Sequence, residues 1–118
     1  NYRCRSITTR KSAMMKSNIP ALPTFSFDVN NATINVFTGI NAGDGHPKHE
    51  HDYDHVTTVT SGRLKVTTPN VSFEMDKNTK PILFPANEWH ELEALEDNTS
   101  FINVFGLNQQ GQRSVSDM

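Results

Sequence analysis

The chain has 118 residues, 35% of them hydrophobic and 20% charged, which is the size of one domain and excludes a two-domain enzyme. Its one cysteine, Cys4, can neither close an intramolecular disulfide nor build a zinc–thiolate site. The formal charge of −2 hides an asymmetry: residues 1–16 hold Arg3, Arg5, Arg10, Lys11 and Lys16 and no acid, while the rest carries six cations against thirteen acids, or −7. An acidic body argues against a nucleic-acid partner, and no apolar run is long enough to span a membrane. A cytoplasmic, reducing setting is expected, with residues 1–19 as a basic N-terminal extension and residues 20–118 as the folded domain.

From Pro20 onward the chain reads as short strands punctuated by turns. Phe25, Phe27 and Val29 alternate with Ser26 and Asp28, Asn30-Asn31 offers a tight turn, and Thr33 to Thr38 continues beyond it. Leu64 and Val66 alternate with Arg63 and Lys65, and Val71, Phe73 and Met75 with Ser72 and Glu74; each alternation marks a half-buried strand. Ser61-Gly62, Pro69-Asn70, Asp76 to Asn78 and Asp97-Asn98 separate these runs at intervals of about eight to ten residues, the spacing of an all-β sandwich or barrel. Glu88 to Glu96 breaks the pattern. It is rich in helix formers, and Trp89, Leu92 and Leu95 recur every third residue, so propensity alone predicts a short helix there.

Candidate chemistry concentrates in the histidines. His46, His49, His51 and His55 fall inside ten residues, and the fifth, His90, lies in the helix-prone segment. On an extended strand His49 and His51 project from one face about 6.6 Å apart, near enough to converge on one ion. Four further extended residues would carry His55 roughly 13 Å away. Asp52-Tyr53-Asp54 must therefore turn the chain back, which predicts a hairpin with ligands on both arms. The residues alone leave open a solvated loop whose histidines only titrate.

Gly43, five residues, His49, one residue, His51, three residues, His55, six residues and Gly62 resemble the first motif of the cupin superfamily, with His55 where that family usually has Glu. Pro85-Ala86-Asn87-Glu88-Trp89-His90 resembles the second motif. Here Thr79 stands where the motif begins with Gly, Asn87 replaces its turn Gly and Ala94 its terminal Asn. Asn tolerates left-handed backbone better than other non-glycine residues, so the turn can survive the exchange. The resemblance implies a small, single-domain, all-β protein, a double-stranded β-helix or jelly-roll barrel. It implies a metal held by His49, His51, His55 and His90, with the second-motif histidine on a strand and not a helix. It also implies a homodimer through paired barrel edges.

Four neutral imidazoles would leave a divalent ion at +2, where three imidazoles and a carboxylate would leave +1, so an anionic or enolate-forming ligand should bind more avidly. Imidazole-rich sets favour Fe, Zn or Ni, with Mn also used in the wider family. The expected function is a metal-dependent enzyme, dioxygenase-like or isomerase-like, acting on a small oxygenated or carboxylated molecule. The alternatives are a ligand-binding or sensing module using the same ion, and a metal that only braces the barrel. Around the site, His46 reads as a solvated loop histidine, with a rim acid, base or extra ligand as the alternative, and Tyr53 as packing on its own hairpin, with a place over the pocket as the alternative. Phe84, Trp89, Phe101 and Phe105 read as barrel core, with one or two of them lining an apolar pocket around the metal as the alternative; Glu50 reads as turned away from the ligands, and Glu88, Glu91, Glu93 and Glu96 as a solvated face.

Overall fold

The computed structural model describes residues 19–106. Residues 1–18 and 107–118 lie outside the described residues, and with them nearly all of the expected basic extension. The regular structure of the described residues is entirely β, so no helix there is long and apolar enough to cross a membrane.

Phe25–Val29 (β1) and Ala32–Ile40 (β2) form the first hairpin, joined by the expected Asn30-Asn31 turn, with Val29 opposite Ala32 and Asn30 at φ 53°. β2 then pairs with Thr99–Gly106 (β9), β9 with His55–Ser61 (β4), and β4 with Ile82–Phe84 (β7), giving an antiparallel five-stranded sheet in the order β1-β2-β9-β4-β7. Gly45–His49 (β3), His90–Ala94 (β8), Leu64–Thr67 (β5) and Ser72–Met75 (β6) form a second antiparallel sheet in the order β3-β8-β5-β6. Two antiparallel sheets whose neighbours are mostly distant in sequence make the all-β jelly roll that the motifs imply.

The core lies between the sheets. Phe37, Val59, Phe84 and Phe101 enter from the first sheet and Leu64, Val66, Met75, Leu92 and Ala94 from the second. The chain changes sheets after β4 at Gly62, whose φ is 72° and where an added Cβ would collide with Thr99. Left-handed backbone and close approach together account for a glycine at the end of the first motif.

Two expectations are corrected. Glu88–Glu96 is not helical: His90, Leu92 and Ala94 turn into the core while Glu91 and Glu93 are half-buried, and β8 pairs with β3 on one side and β5 on the other. Pairing on both edges and a period of two outweigh intrinsic helix preference. In β1 the alternation is correct but its apolar side is exposed, at 54% for Phe25, 47% for Phe27 and 51% for Val29. β1 is an edge strand, and this side faces away from the core.

Candidate metal centre

Three stretches of chain build the site. β3 delivers His46 and His49, and the β3 register on β8 places His49 directly opposite His90. The register slips between His46 and His49, around Pro47, which has no N–H to give the ladder. After His49 the chain leaves β3 through His51 and the Asp52–Asp54 bend and enters β4 at His55. This corrects the predicted hairpin. β3 pairs with β8 and β4 with β7 and β9, so the bend carries the chain from one sheet to the other and the histidines meet across the gap.

The second motif locks onto the first. Asn87, at φ 65°, occupies the left-handed turn, and its N–H donates to the His51 carbonyl at 2.6 Å. The Ala86 N–H donates to Asp54 Oδ1 at 2.7 Å. The loop carrying Glu88 and Trp89 is thereby tied to the loop carrying His51 and Asp54, which sets the position of His90.

Ring nitrogens of His49, His51 and His90 all lie within 4.8 Å of one another. His49 Nε2 and His51 Nε2 are 3.1 Å apart, a separation suited to two donors that share an ion at about 2.1 Å from each. Backbone carbonyls fix the tautomers: His49 Nδ1–H donates to the Pro47 carbonyl at 2.6 Å and His90 Nδ1–H to the Glu88 carbonyl at 3.3 Å, so each Nε2 keeps its lone pair. His55 stands one ring away, with ring centroids 5.0 Å from His90 and 5.4 Å from His51. It is 3% exposed, and neither of its ring nitrogens has a hydrogen-bond partner among the described residues. Leaving a buried polar group unpartnered costs about 1–3 kcal/mol. A cation would remove that cost, so a donor set of imidazoles with fixed tautomers and an orphaned buried ring fits a divalent transition metal.

Electrostatics agree. Burial pushes His55 down to about 3 and His51 and His90 down to about 4, and the neighbouring histidines push in the same direction. These rings stay neutral, which a metal ligand requires. His46 is also held below its ordinary value, chiefly by burial, with its bond to the Ala21 carbonyl acting the other way.

The surroundings differ in part from the sequence reading. His46 is not a solvated loop residue: it is half-buried on β3, packs edge-on against Phe37 and Phe101 at 4.8 and 5.6 Å, and its Nε2–H donates to the Ala21 carbonyl at 3.1 Å. Tyr53 stacks on His51 at 4.6 Å, as a hairpin contact would, but also on Phe105 of β9 at 4.7 Å, and it lines the cavity. Phe84 and Phe101 are core, whereas Phe105 lines the cavity. Trp89 is half-buried, with the Lys48 ammonium 4.4 Å above its ring. Glu50 is exposed.

A cavity of about 600 Å³ opens beside the rings, with His46, His49, His51 and His55 on one part of its wall and Asn35 and Asn103 on another. The sequence reading missed the two asparagines. Their signal was present in Asn103, a polar residue at the inward phase between Phe101 and Phe105.

No family model matches this sequence, and no curated protein matches it. Solved structures do. A cupin superfamily protein from Desulfitobacterium hafniense DCB-2 is similar over 75% of this chain and 84% of its own, at 13% identity and a TM-score of 0.60. KdgF from Halomonas sp. matches over 80% of this chain and 93% of its own, at 16% identity and a TM-score of 0.60. A cupin-2 domain containing protein from Shewanella frigidimarina NCIMB 400 matches over 71% and 81%, at 16% identity and a TM-score of 0.58. Strand order, motif placement and these likenesses agree: the chain folds as a small cupin.

Proposed function

We propose that the protein is a metal-dependent enzyme that holds one divalent transition ion, Fe, Zn or Ni with Mn also compatible, on His49, His51, His55 and His90 and acts on a small oxygenated or carboxylated molecule in the adjoining cavity. The observation that carries this reading is His55, buried with both ring nitrogens unpartnered beside three converging imidazoles. The ion would polarise a bound oxygen or, as iron, activate dioxygen. The chain's own groups prepare for this. The Pro47 and Glu88 carbonyls orient the His49 and His90 rings, and Phe84, stacked on His55 at 5.1 Å and 4.8 Å from His90, keeps water from the buried side. Tyr53, whose phenol is held protonated chiefly by burial, lines the cavity with a hydroxyl that can donate. A cavity next to the rings favours a substrate site over an ion that only braces the barrel.

Oxygen uptake by iron-loaded protein, measured across diketones, keto acids and thiols, tests the dioxygenase form, and product formation without oxygen tests the isomerase form. Ligand binding with no turnover in either would reduce the protein to a binding module. The lone Cys4 thiol suits a cytoplasmic, reducing setting.

The protein is further proposed to be a homodimer, through the outer face of the five-stranded sheet and not through the paired barrel edges that the resemblance implies. Phe27, Ile34, Val104, Val56 and Leu83 line up in register across all five strands, with Phe25, Val36 and Ile102 beside them, and no charged side chain lies in either row. The flanking segments 1–16 and 107–118 are cationic or polar and lack alternating apolar residues, whereas a second copy offers the same uncharged face, and two such faces pack as sheets do. Sedimentation should give a dimer that Phe27→Asp converts to monomer; a wild-type monomer would refute it.

A further inference from the structure

The five-stranded sheet carries on its inner face a row of hydroxyls and amides, next to a row that holds Asp28 and Thr33 on β1 and β2. In register across four strands stand Ser26 on β1, Asn35 on β2, Asn103 on β9 and Thr57 on β4. The next row toward the site contains Phe105 and His55, and the row on the other side contains Phe37, Phe101 and Val59. Asn35 and Asn103 line the cavity.

The hydroxyls at the two ends of the row fix the two amides between them. Ser26 Oγ donates to Asn35 Oδ1 at 2.5 Å, and Thr57 Oγ1 donates to Asn103 Oδ1 at 2.6 Å. Each amide oxygen is thus drawn outward along the row. With both oxygens so engaged, each Nδ2 group remains available to donate, and no hydrogen bond joins either one to a described residue. Two amide donors on directly paired residues of a cavity wall can take one oxygen acceptor from that cavity. A residue two positions along a strand lies about 7 Å away on the same face, so this donor pair is about that far from the His55 row.

We infer that Asn35 and Asn103 form a second binding point for the substrate, a pair of amide donors that takes a carboxylate or ketone oxygen about 7 Å from the histidine cluster. The inference rests on the proposed function for the identity of the first binding point. It narrows the substrate to a small molecule with two oxygen functions about four to five bonds apart, which is the reach of that spacing. Neither asparagine touches the reacting end; their part is to position the ligand.

Side-chain amide resonances of ¹⁵N-labelled protein test this, with succinate and levulinate as two-ended probes and acetate as the one-ended control. The Asn35 and Asn103 NH₂ signals should move with succinate or levulinate in metal-free and metal-loaded protein alike. The stronger response to succinate would assign a carboxylate, to levulinate a ketone. In metal-loaded protein the better probe should bind at least tenfold more tightly than acetate. Asn35→Ala/Asn103→Ala should erase that advantage while changing acetate affinity less than twofold and leaving the circular dichroism spectrum intact. Thr57→Val, which removes only the hydroxyl that orients Asn103, should lose part of the advantage and supplies the test if the double variant misfolds. NH₂ signals that stay still with both probes, or an advantage kept in the variants, would overturn the inference. Failure to take up any divalent ion would refute the proposed function instead, and the metal-free NH₂ titration would still decide the role of the asparagines.

Discussion

The two ends of the space between the sheets share strand β8 and behave oppositely. At one end Leu64, Val66, Met75, Leu92, Ala94 and Phe101 are almost wholly buried against one another. At the other, strands β3, β4 and β8 end in His49, His55 and His90, and the inward positions hold imidazoles with a cavity beside them. β8 shows the contrast within five residues: Leu92 and Ala94 join the packed end and His90 the open one. Apolar burial at the packed end stabilises the fold at about 25 cal/mol per Å². The partnerless His55 imidazole at the open end costs stability until something binds it. Stability and function are therefore separable along a single strand.

Breaking the packed end should have the largest effect. Phe101→Ala removes a fully buried ring in contact with Phe37 at 4.6 Å and should cost about 3–5 kcal/mol in denaturant unfolding, with metal content per folded molecule unchanged. A loss below about 1 kcal/mol would mean the ring is not part of the packed core. At the open end, His49→Ala should abolish most metal uptake by elemental analysis while moving metal-free stability by less than about 1 kcal/mol. Added metal should raise the melting temperature of the wild type and leave that of His49→Ala unchanged.

Acid sharpens the contrast further. Between pH 6.5 and about 4 the unfolded chain protonates the His51 and His90 rings while the folded chain keeps them neutral, and for His55 this interval extends down to about 3. Metal-free stability should be fully present above pH 6.5 and decline as pH falls through that interval. The sequence alone places loss of metal near pH 6.5, where an ordinary histidine titrates; burial moves it toward pH 4 for these three rings. Equal stability at pH 7 and pH 4.5 would contradict the burial. The smallest effect on metal content is expected of His55→Glu, which keeps a ligand atom in place. Metal uptake should persist, and only the metal-free form should lose stability, because it alone must bury the carboxyl without a cation.

Much of this was legible beforehand. The spacing of His49, His51 and His55 and the alternation in β1, β5 and β6 reflect a period of two that any strand must show. What was not legible depends on which strands become neighbours. The route of the Asp52–Asp54 bend from one sheet to the other and the outward side of Phe25 and Phe27 are set by pairing partners distant in sequence; the strand state of residues 90–94 was legible only through the motif resemblance, against local helix propensity. His46 read as solvated because its shielding comes from Ala21, Phe37 and Phe101, which are on other segments. The asparagine pair depends in the same way on the β2–β9 register.

The proposed function requires the four imidazoles to share one cation. Anomalous diffraction from crystals of protein prepared without a polyhistidine tag, with scans across the iron, nickel and zinc edges, tests it most directly. The account predicts one peak among His49, His51, His55 and His90, matched by close to one equivalent of that metal in solution. Well-ordered imidazoles with no peak among them, in protein equilibrated with these ions, would contradict it.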